Sequence, residues 1–260
     1  MPLVGDTVTT LIVTRPRAQA AAWIRELSAQ GVPACALPLI DIAAAEDPAP
    51  VQHAWRRLPE LACAMFVSAN AVQHFVAARP LDADWPPTLW AACTGQGTRM
   101  ALVAAGVPEG SIVAPGVDEA QESESLWREL AHRDWRGRAV LIVRGEDGRD
   151  WLGQRWREAG AQVAFVTAYT RRAPQLDAAA QAVLAAAQRE PSAWCWHFSS
   201  AQAVHHLRAL VPAGSWAAAR ALATHPRIAQ AVRDAGFGRV EQVAPGLAAA
   251  WQGLRHGGQG

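Results

Sequence analysis

Hydrogen-bond donors gather in six short turns of this 260-residue sequence. The turns are Thr14-Arg15-Pro16, Ser68-Ala69-Asn70, Thr94-Gly95-Gln96-Gly97-Thr98, Arg144-Gly145-Glu146-Asp147-Gly148-Arg149, Ser199-Ser200 and Thr224-His225-Pro226-Arg227. Hydroxyl groups, guanidinium groups and free backbone N–H groups at a helix N-terminus all suit a carboxylate or a phosphate. Ser, Thr and Asn also cap helices, so capping alone explains any single turn. Capping does not require the arginines, so the turns together predict an extended anion site that includes Arg15, Arg144 and Arg149.

Tyr169 is the only tyrosine of the chain. A phenol is a neutral hydrogen-bond donor and a weak acid, so in a cleft it can bind or protonate a leaving hydroxyl group. The alternative is a tyrosine at the end of a strand with its hydroxyl group in water. The segment around it follows an apparent strand and precedes Pro174 and an alanine-rich helix, which indicates a connector.

Several enzyme classes are excluded because the sequence has no lysine, so that all 24 basic residues are arginine. Pyridoxal-phosphate enzymes, Schiff-base aldolases, P-loop NTPases, kinases and phospho-receiver domains all need one. The sequence also lacks a Gly-x-Ser-x-Gly elbow and a His-Glu-x-x-His motif, and Gly95-x-Gly97 lacks the third glycine of a dinucleotide fingerprint. We expect no metal centre.

Charge and cysteine usage limit the partners and the compartment. The formal net charge is +1, without the basic excess typical of DNA-binding domains. No apolar window reaches the roughly 18 residues that a membrane span needs, and we recognise no signal peptide. The isolated cysteines Cys35, Cys63, Cys93 and Cys195 indicate buried thiols in a reducing environment. We therefore expect a cytoplasmic protein that binds neither nucleic acid nor membrane. We also expect a monomer.

Short apolar runs alternate with amphipathic patterns along the chain. The strand-like runs are Thr10–Thr14, Ala64–Val67, Leu89–Ala92, Ala139–Val143, Val163–Val166, Trp194–Phe198 and Ala221–Ala223. Most precede a polar turn and a helical pattern that ends at glycine, as at Gly106, Gly160 and Gly236. This alternation predicts parallel sheets covered on both faces, a doubly wound α/β fold. Such sheets bind ligands beyond the carboxyl ends of their strands, where the six turns fall.

The sequence also resembles itself at half its length. Residues 66–75 match residues 198–207 at six of ten positions with a shift of 132. At a shift of 130, Leu11-Ile12-Val13 recurs as Leu141-Ile142-Val143, Thr94 as Thr224, Ala105-Gly106 as Ala235-Gly236, and Val113-Ala-Pro-Gly116 as Val243-Ala-Pro-Gly246. Four blocks in the same order predict a duplicated α/β unit.

Several motifs together resemble the uroporphyrinogen-III synthase family from about residue 10 to residue 246. They are Val13-Thr-Arg-Pro16, Phe66-Val-Ser-Ala-Asn-Ala-Val72, Gly95-x-x-Thr98, Ser123-Glu-Ser-Leu126, Leu141-Ile-Val-Arg-Gly145, Gly160-Ala-x-Val163, Tyr169-Thr-Arg171, Phe198-Ser-Ser200 and Thr224-His-Pro-Arg-Ile-Ala229. Each is weak by itself, and their order and spacing carry the resemblance.

This resemblance implies two flavodoxin-like α/β domains joined by a two-stranded β ladder. The first domain would combine residues 1–37 with 173–260, and the second would hold residues 44–165. Residues 38–43 and 166–172 would form the linker strands. Each domain would then take its first β-α-β piece from one half of the duplication and the rest from the other half.

The resemblance also implies an activity. The substrate would be hydroxymethylbilane, cyclised to uroporphyrinogen III with inversion of ring D and loss of water, without a cofactor. Tyr169 matches the connector tyrosine that assists departure of the hydroxyl group in this family. Further contact positions carry over as Ser68, Thr98, Ser199 with its neighbour Ser200, and Arg227. The alternative from a different class is a two-lobed binding protein that closes on an anionic small molecule without chemistry.

Overall fold

The computed structural model of the protein describes residues 9–116, 123–146, 148–212 and 214–256. The strands are β1 (Thr10–Val13), β2 (Ala34–Ala36), β3 (Asp41–Ala44), β4 (Cys63–Phe66), β5 (Trp90–Cys93), β6 (Ile112–Val113), β7 (Ala139–Gly145), β8 (Gln162–Arg172), β9 (Trp194–Phe198), β10 (Arg220–Ala223) and β11 (Arg239–Gln242). The helices are α1 (Arg17–Ala29), α2 (Ala49–Arg57), α3 (Ala69–Ala77), α4 (Gln96–Ala104), α5 (Ser123–Leu130), α6 (Trp151–Glu158), α7 (Ala178–Arg189), α8 (Ala201–Leu210), α9 (Pro226–Asp234) and α10 (Leu247–His256).

The chain divides into two compact units, each with its own sheet. The first unit takes residues 1–41 and 172–260, and the second takes residues 42–171. In the first unit the strand order is β2-β1-β9-β10-β11, and all four neighbouring pairs are parallel. Counted along the chain within the unit, this is the order 2-1-3-4-5 of flavodoxin-like folds.

The second unit has the same order with its pieces permuted in sequence. Its sheet runs β8-β7-β4-β5-β6, with β3 added beside β8. The pairs β8-β7, β7-β4, β4-β5 and β5-β6 are parallel. In this unit β7 and β8 take the places of β1 and β2, while β4, β5 and β6 take the places of β9, β10 and β11. The predicted doubly wound fold is therefore confirmed, and the permutation accounts for the repeat in the sequence.

The repeat is displaced by one residue at one strand. Strand β4 matches β9 at a shift of 132, so Met65 corresponds to His197. His197 pairs with Val13 and Met65 pairs with Ile142, so Ile142 of β7 corresponds to Val13 of β1. The alignment of Leu11-Ile12-Val13 with Leu141-Ile142-Val143 is therefore wrong by one position. Three successive apolar residues look alike in either register, so the sequence could not decide it. In the corrected register Arg15 corresponds to Arg144.

The apolar strands were predicted to within about two residues at most ends, except that β8 extends six residues past the predicted Val166. The predicted helix ends are also confirmed, since Gly106, Gly160 and Gly236 follow α4, α6 and α9 with φ of 85°, 89° and 90°. The sequence patterns missed β2, β6 and β11, which are short and occupy edge positions in the two sheets. The edge strand β3 overlaps the linker strand 38–43 that the resemblance implies.

The two passages of the chain between the units fall within strands. One lies in β3, between Asp41 and Ile42, and the other lies at the end of β8, between Arg171 and Arg172. These two strands are neighbours at the edge of the second sheet. The linker bounds 38–43 and 166–172 stay predictions.

Buried apolar side chains cover both faces of each sheet and hold the strands in place. In the second unit Phe66 and Val143 pack on one face, while Met65 and Ile142 pack on the other. Burying one such side chain stabilises the fold by about 1.5–3 kcal/mol. The packed strands therefore fix the positions of the residues that follow their carboxyl ends. Among the described helices, none is both long and apolar enough to cross a bilayer.

All four cysteines are free thiols. Cys63, Cys93 and Cys195 are buried as predicted, whereas Cys35, near the middle of the edge strand β2, is only half-buried. Burial raises the pKa of Cys63 and of Cys195 to about 12, which keeps both thiols protonated and unreactive.

Candidate active site

Each unit offers one crevice where a ligand would be expected. In the order 2-1-3-4-5 the sheet switches direction between strands 1 and 3, and ligands bind beyond the carboxyl ends there. The switch point lies between β1 and β9 in the first unit and between β7 and β4 in the second. Ser68, Thr98, Arg144 and Arg149 belong to the second unit, and Arg15, Ser199, Ser200 and Arg227 belong to the first.

At the switch point of the second unit, Tyr169 meets Ser68. Tyr169 lies in β8, its side chain is only 1% exposed, and its hydroxyl oxygen is 3.2 Å from Ser68 Oγ. The solvated tyrosine considered as the alternative is therefore wrong. Ser68 is half-buried, so the hydroxyl pair reaches the surface through Ser68. The two residues are 101 positions apart in sequence, and the strands β8, β7 and β4 bring them together.

Ser68 also caps the helix that follows it. Its backbone is extended, with φ −165° and ψ 164°, and its Oγ accepts the N–H of Ala71 at 3.2 Å. The capping explanation is therefore confirmed at this turn, but Ser68 also has a second hydrogen-bond partner. A hydroxyl group has one proton and two acceptor lone pairs, so Ser68 can accept from Ala71 and still donate to Tyr169. In that arrangement the phenol proton is free for a third group.

Three further residues surround the phenol. A Cβ atom added to Gly145 would lie 3.0 Å from Cε2 and Cζ of Tyr169, so the ring rests directly on the end of β7. The ring of His74, in α3, lies 6.0 Å from the Tyr169 ring at an angle of 26°, and burial lowers the pKa of His74. The guanidinium group of Arg171 lies 5.9 Å from the ring centre.

The other predicted residues of the second unit have different surroundings. The guanidinium group of Arg144 lies over the Phe165 ring at 4.4 Å. Arg149 is exposed and forms an ion pair with Glu124 at 3.0 Å. Thr98 is 6% exposed and belongs to the first turn of α4 rather than to a turn before it. The helix begins earlier than predicted because Gly95 occupies the N-cap position.

In the first unit, Arg15 is held beside α1. It donates to Gln19 Oε1 from Nε at 3.0 Å and from the guanidinium Nη2 at 2.8 Å, and its guanidinium carbon lies 4.8 Å from the Trp23 ring centre. Burial lowers the pKa of Arg15 below its ordinary value. Ser199 is half-buried, and Ser200 caps α8 by accepting the N–H of Gln202 at 3.2 Å.

Arg227 was predicted in a turn, but it is the second residue of α9. His225 is the N-cap, and its Nδ1 accepts the N–H of Arg227 at 3.1 Å. Pro226 suits the first position of a helix because its ring fixes φ, and this moves the helix start ahead of Arg227. The Arg227 side chain is exposed.

The sequence analysis missed His197, the fourth residue of β9. Its side chain is 0% exposed, and neither ring nitrogen has a hydrogen-bond partner among the described residues. Burial, and to a smaller extent the charge of Arg15, lowers its pKa to about 4, so the ring is neutral. The ring lies 4.8 Å from that of Trp23. A histidine between Trp196 and Phe198 in an otherwise apolar strand was the available signal.

In the described part of the chain, no three His, Cys, Asp or Glu side chains come close enough to hold a metal ion. The site is therefore described by its hydroxyl groups and cations. A phenol with a serine partner can donate one proton to a hydroxyl group, and the arginines can bind carboxylates.

Comparisons with known proteins identify the family. Residues 21–252 match the family model of uroporphyrinogen-III synthase HemD. The chain is 28% identical over 175 residues to the uroporphyrinogen-III synthase of Salmonella typhimurium, covering 67% of this chain and 70% of that protein.

Two solved structures share the fold. The uroporphyrinogen-III synthetase of Helicobacter pylori matches with a TM-score of 0.60 at 15% identity, over 95% of this chain and 99% of that one. A mutant uroporphyrinogen III synthase of Thermus thermophilus matches with a TM-score of 0.57 at 18% identity, over 95% and 98%. Because the family model covers most of the sequence, this chain belongs to the uroporphyrinogen-III synthase family.

Proposed function

We propose that this chain is a uroporphyrinogen-III synthase, a cyclising lyase that converts hydroxymethylbilane into uroporphyrinogen III and water in tetrapyrrole biosynthesis. The observation that carries this proposal is the family match over residues 21–252. The contact between Tyr169 and Ser68 supports a mechanism, because it provides a partly buried hydroxyl pair where a doubly wound sheet binds its ligand.

Tyr169 acts as the proton donor to the hydroxyl group on ring A. The C–O bond breaks, the phenol proton leaves with the oxygen as water, and the pyrrole becomes an electrophilic azafulvene. Ring D attacks through its substituted carbon and forms a spiro intermediate. Its bond to the neighbouring bridge carbon then breaks and re-forms at the other α-carbon of ring D. That carbon releases one proton, which restores the phenol, so the net products are the macrocycle and one water.

Ser68 orients the phenol for this step. When Ser68 donates to the tyrosine oxygen and accepts from Ala71 N–H, the phenol hydrogen points away from the pair and toward the substrate. General acid catalysis of this kind contributes about 10²- to 10⁴-fold in rate. The rest of the acceleration comes from holding the flexible tetrapyrrole in one productive conformation.

The remaining predicted residues bind the eight carboxylates of the substrate. Arg15, Arg144, Arg149 and Arg227 supply charge, and the hydroxyl groups and helix N-termini at Ser199, Ser200 and Thr98 supply donors. Arg149 is already paired with Glu124, but an exposed ion pair contributes only about 0–1 kcal/mol, so a substrate carboxylate can replace that partner.

The product assay tests the function directly. Purified protein is mixed with freshly made hydroxymethylbilane, and the ratio of uroporphyrinogen III to the spontaneously formed isomer I is measured. We expect isomer III to dominate. A two-lobed binding protein would leave isomer I as the product, and the family match favours the enzyme over that alternative.

We also propose a cytoplasmic monomer. The four free thiols fit a reducing compartment. Cell fractionation and the molar mass in solution test these two statements, and a molar mass well above 27.8 kDa would reject the monomer.

A further inference from the structure

Gly145 is the last residue of β7 and lies where the Tyr169 ring crosses the strand. The two residues are partners in the pairing of β7 with β8, directly after a register shift between Arg144 and Gly145. An added Cβ atom would lie 3.0 Å from Cε2 and Cζ of the ring and 3.3 Å from its hydroxyl oxygen. Carbon atoms in favourable contact are about 3.5–4.0 Å apart, so even an alanine at position 145 would require the ring to move by a few tenths of an ångström.

The topology explains why the ring must pass over β7. Tyr169 is in β8 and Ser68 follows β4, and these strands lie on opposite sides of β7. Neighbouring strands are about 4.8 Å apart, so β8 and β4 are separated by about 10 Å. The side chains of Tyr169 and Ser68 together span this separation, and the tyrosine ring crosses the strand between them. The backbone itself does not require glycine, because the φ of Gly145 is outside the positive range found at glycines such as Gly106 and Gly160.

We infer that Gly145 is a positioning residue for this reaction: its missing side chain lets the phenol lie across the end of β7 and meet Ser68. This inference rests on the proposed role of Tyr169. A side chain at position 145 displaces the ring and lengthens the 3.2 Å contact between the two hydroxyl oxygens. Substituting Gly145 therefore weakens the contribution of the phenol while the tyrosine stays in place.

A kinetic cycle tests the inference with Gly145→Ala, Tyr169→Phe and the double variant. Gly145→Ala should lower kcat by about 3- to 10-fold with KM nearly unchanged, because a shift of a few tenths of an ångström is smaller than the misplacement of about 1 Å that can cost about 100-fold. In the Tyr169→Phe background the same alanine should change kcat by less than about twofold, because the hydroxyl group it displaces is already gone. Gly110→Ala is the matched control, since a Cβ atom there meets nothing within 4 Å.

A spectroscopic measurement reports the ring position without activity. Tyr169 is the only tyrosine, so protein made with 3-fluorotyrosine gives a single site for ¹⁹F NMR. Gly145→Ala should shift this resonance, as should Ser68→Ala, and Gly110→Ala should leave it in place. If Gly145→Ala folds poorly, the free energy of unfolding gives a second test. The alanine should destabilise the wild-type protein but not the Tyr169→Ala variant, in which the ring is absent.

The outcomes separate this inference from the proposed function. Wild-type kinetics in Gly145→Ala, beside a slow Tyr169→Phe enzyme, would overturn the role of Gly145 alone. Losses that multiply in the double variant would also overturn it, because Gly145 would then act independently of the phenol. Wild-type kinetics in Tyr169→Phe would reject the proton donor, while a shifted ¹⁹F resonance would still support the positioning of the ring.

Discussion

The two switch points of this molecule share a scaffold and differ in their reactive groups. Arg15 and Arg144 occupy matching positions, and each guanidinium group lies over an aromatic ring, Trp23 in one unit and Phe165 in the other. Ser200 and Ser68 also match, and each accepts a backbone N–H of the following helix at 3.2 Å. Duplication therefore accounts for the cations and caps that suit carboxylates in both units.

The differences lie at three places. In the second unit Ser68 also contacts Tyr169, whose ring rests on Gly145. In the first unit the place of Met65 is taken by His197, a buried neutral imidazole without a hydrogen-bond partner among the described residues. In the proposed mechanism, the parts that both units retain bind the substrate, and the pair formed by Tyr169 and Ser68 in the second unit transfers the proton.

The sharpest test of this assignment is Tyr169→Phe. We expect uroporphyrinogen III formation to fall by about 10²- to 10⁴-fold, because the general acid is removed. Stability should fall by only about 1 kcal/mol, the net value of one hydrogen bond. Thr170→Val is the control, since it removes a buried hydroxyl group on the next residue that has no hydrogen-bond partner among the described residues. Equal loss in both variants would mean that β8 is merely sensitive to substitution.

His197→Met places the residue of the second unit into the first and should change stability rather than catalysis. The pKa of His197 is lowered from 6.5 to about 4, so the unfolded chain binds more protons than the folded one between these values. Its contribution to stability is present above about pH 6.5 and is lost as the pH falls toward 4, by about 3 kcal/mol in total. Denaturant unfolding across this window should be flatter in the variant. An unchanged pH dependence would show that another group titrates.

The fold could be predicted from the sequence where burial is complete, and less well elsewhere. Strands buried on both faces, such as β4, are continuous apolar runs. The edge strand β11, with the sequence Arg-Val-Glu-Gln, has no such signal because its side chains are exposed or only half-buried. The one-residue error at β7 has the same origin, since register depends on contacts with β4 that a single sequence does not record.

The candidate site could also be predicted only in part from the sequence. Tyr169 was identified from its uniqueness and Ser68 from its turn, but their contact depends on the order β8-β7-β4. Gly145 looked like an ordinary turn glycine because the ring that requires it comes from the neighbouring strand. His197 was passed over because its isolation is a property of the packed core.

Ser68→Ala and Ser200→Ala compare the two caps directly. Each should lower the free energy of unfolding by about 1 kcal/mol, because each removes one N-cap acceptor. Only Ser68→Ala also removes the partner of the phenol, so it should lower kcat by about tenfold. Ser200→Ala should act on KM. Equal effects on kcat in the two variants would remove the distinction between a binding unit and a proton-transfer unit.

The smallest effects are expected from the arginines that both units retain. Arg15→Gln and Arg144→Gln should each raise KM by about three- to tenfold, leave kcat almost unchanged and weaken the dependence of KM on salt. Arg149→Gln should do less than either, because Glu124 already neutralises that charge. Arg189→Gln is the control, since Arg189 ends α7 and the ends of such helices lie at the amino ends of the strands. If Arg189→Gln raised KM as much as Arg15→Gln, overall charge rather than the strand ends would govern substrate binding.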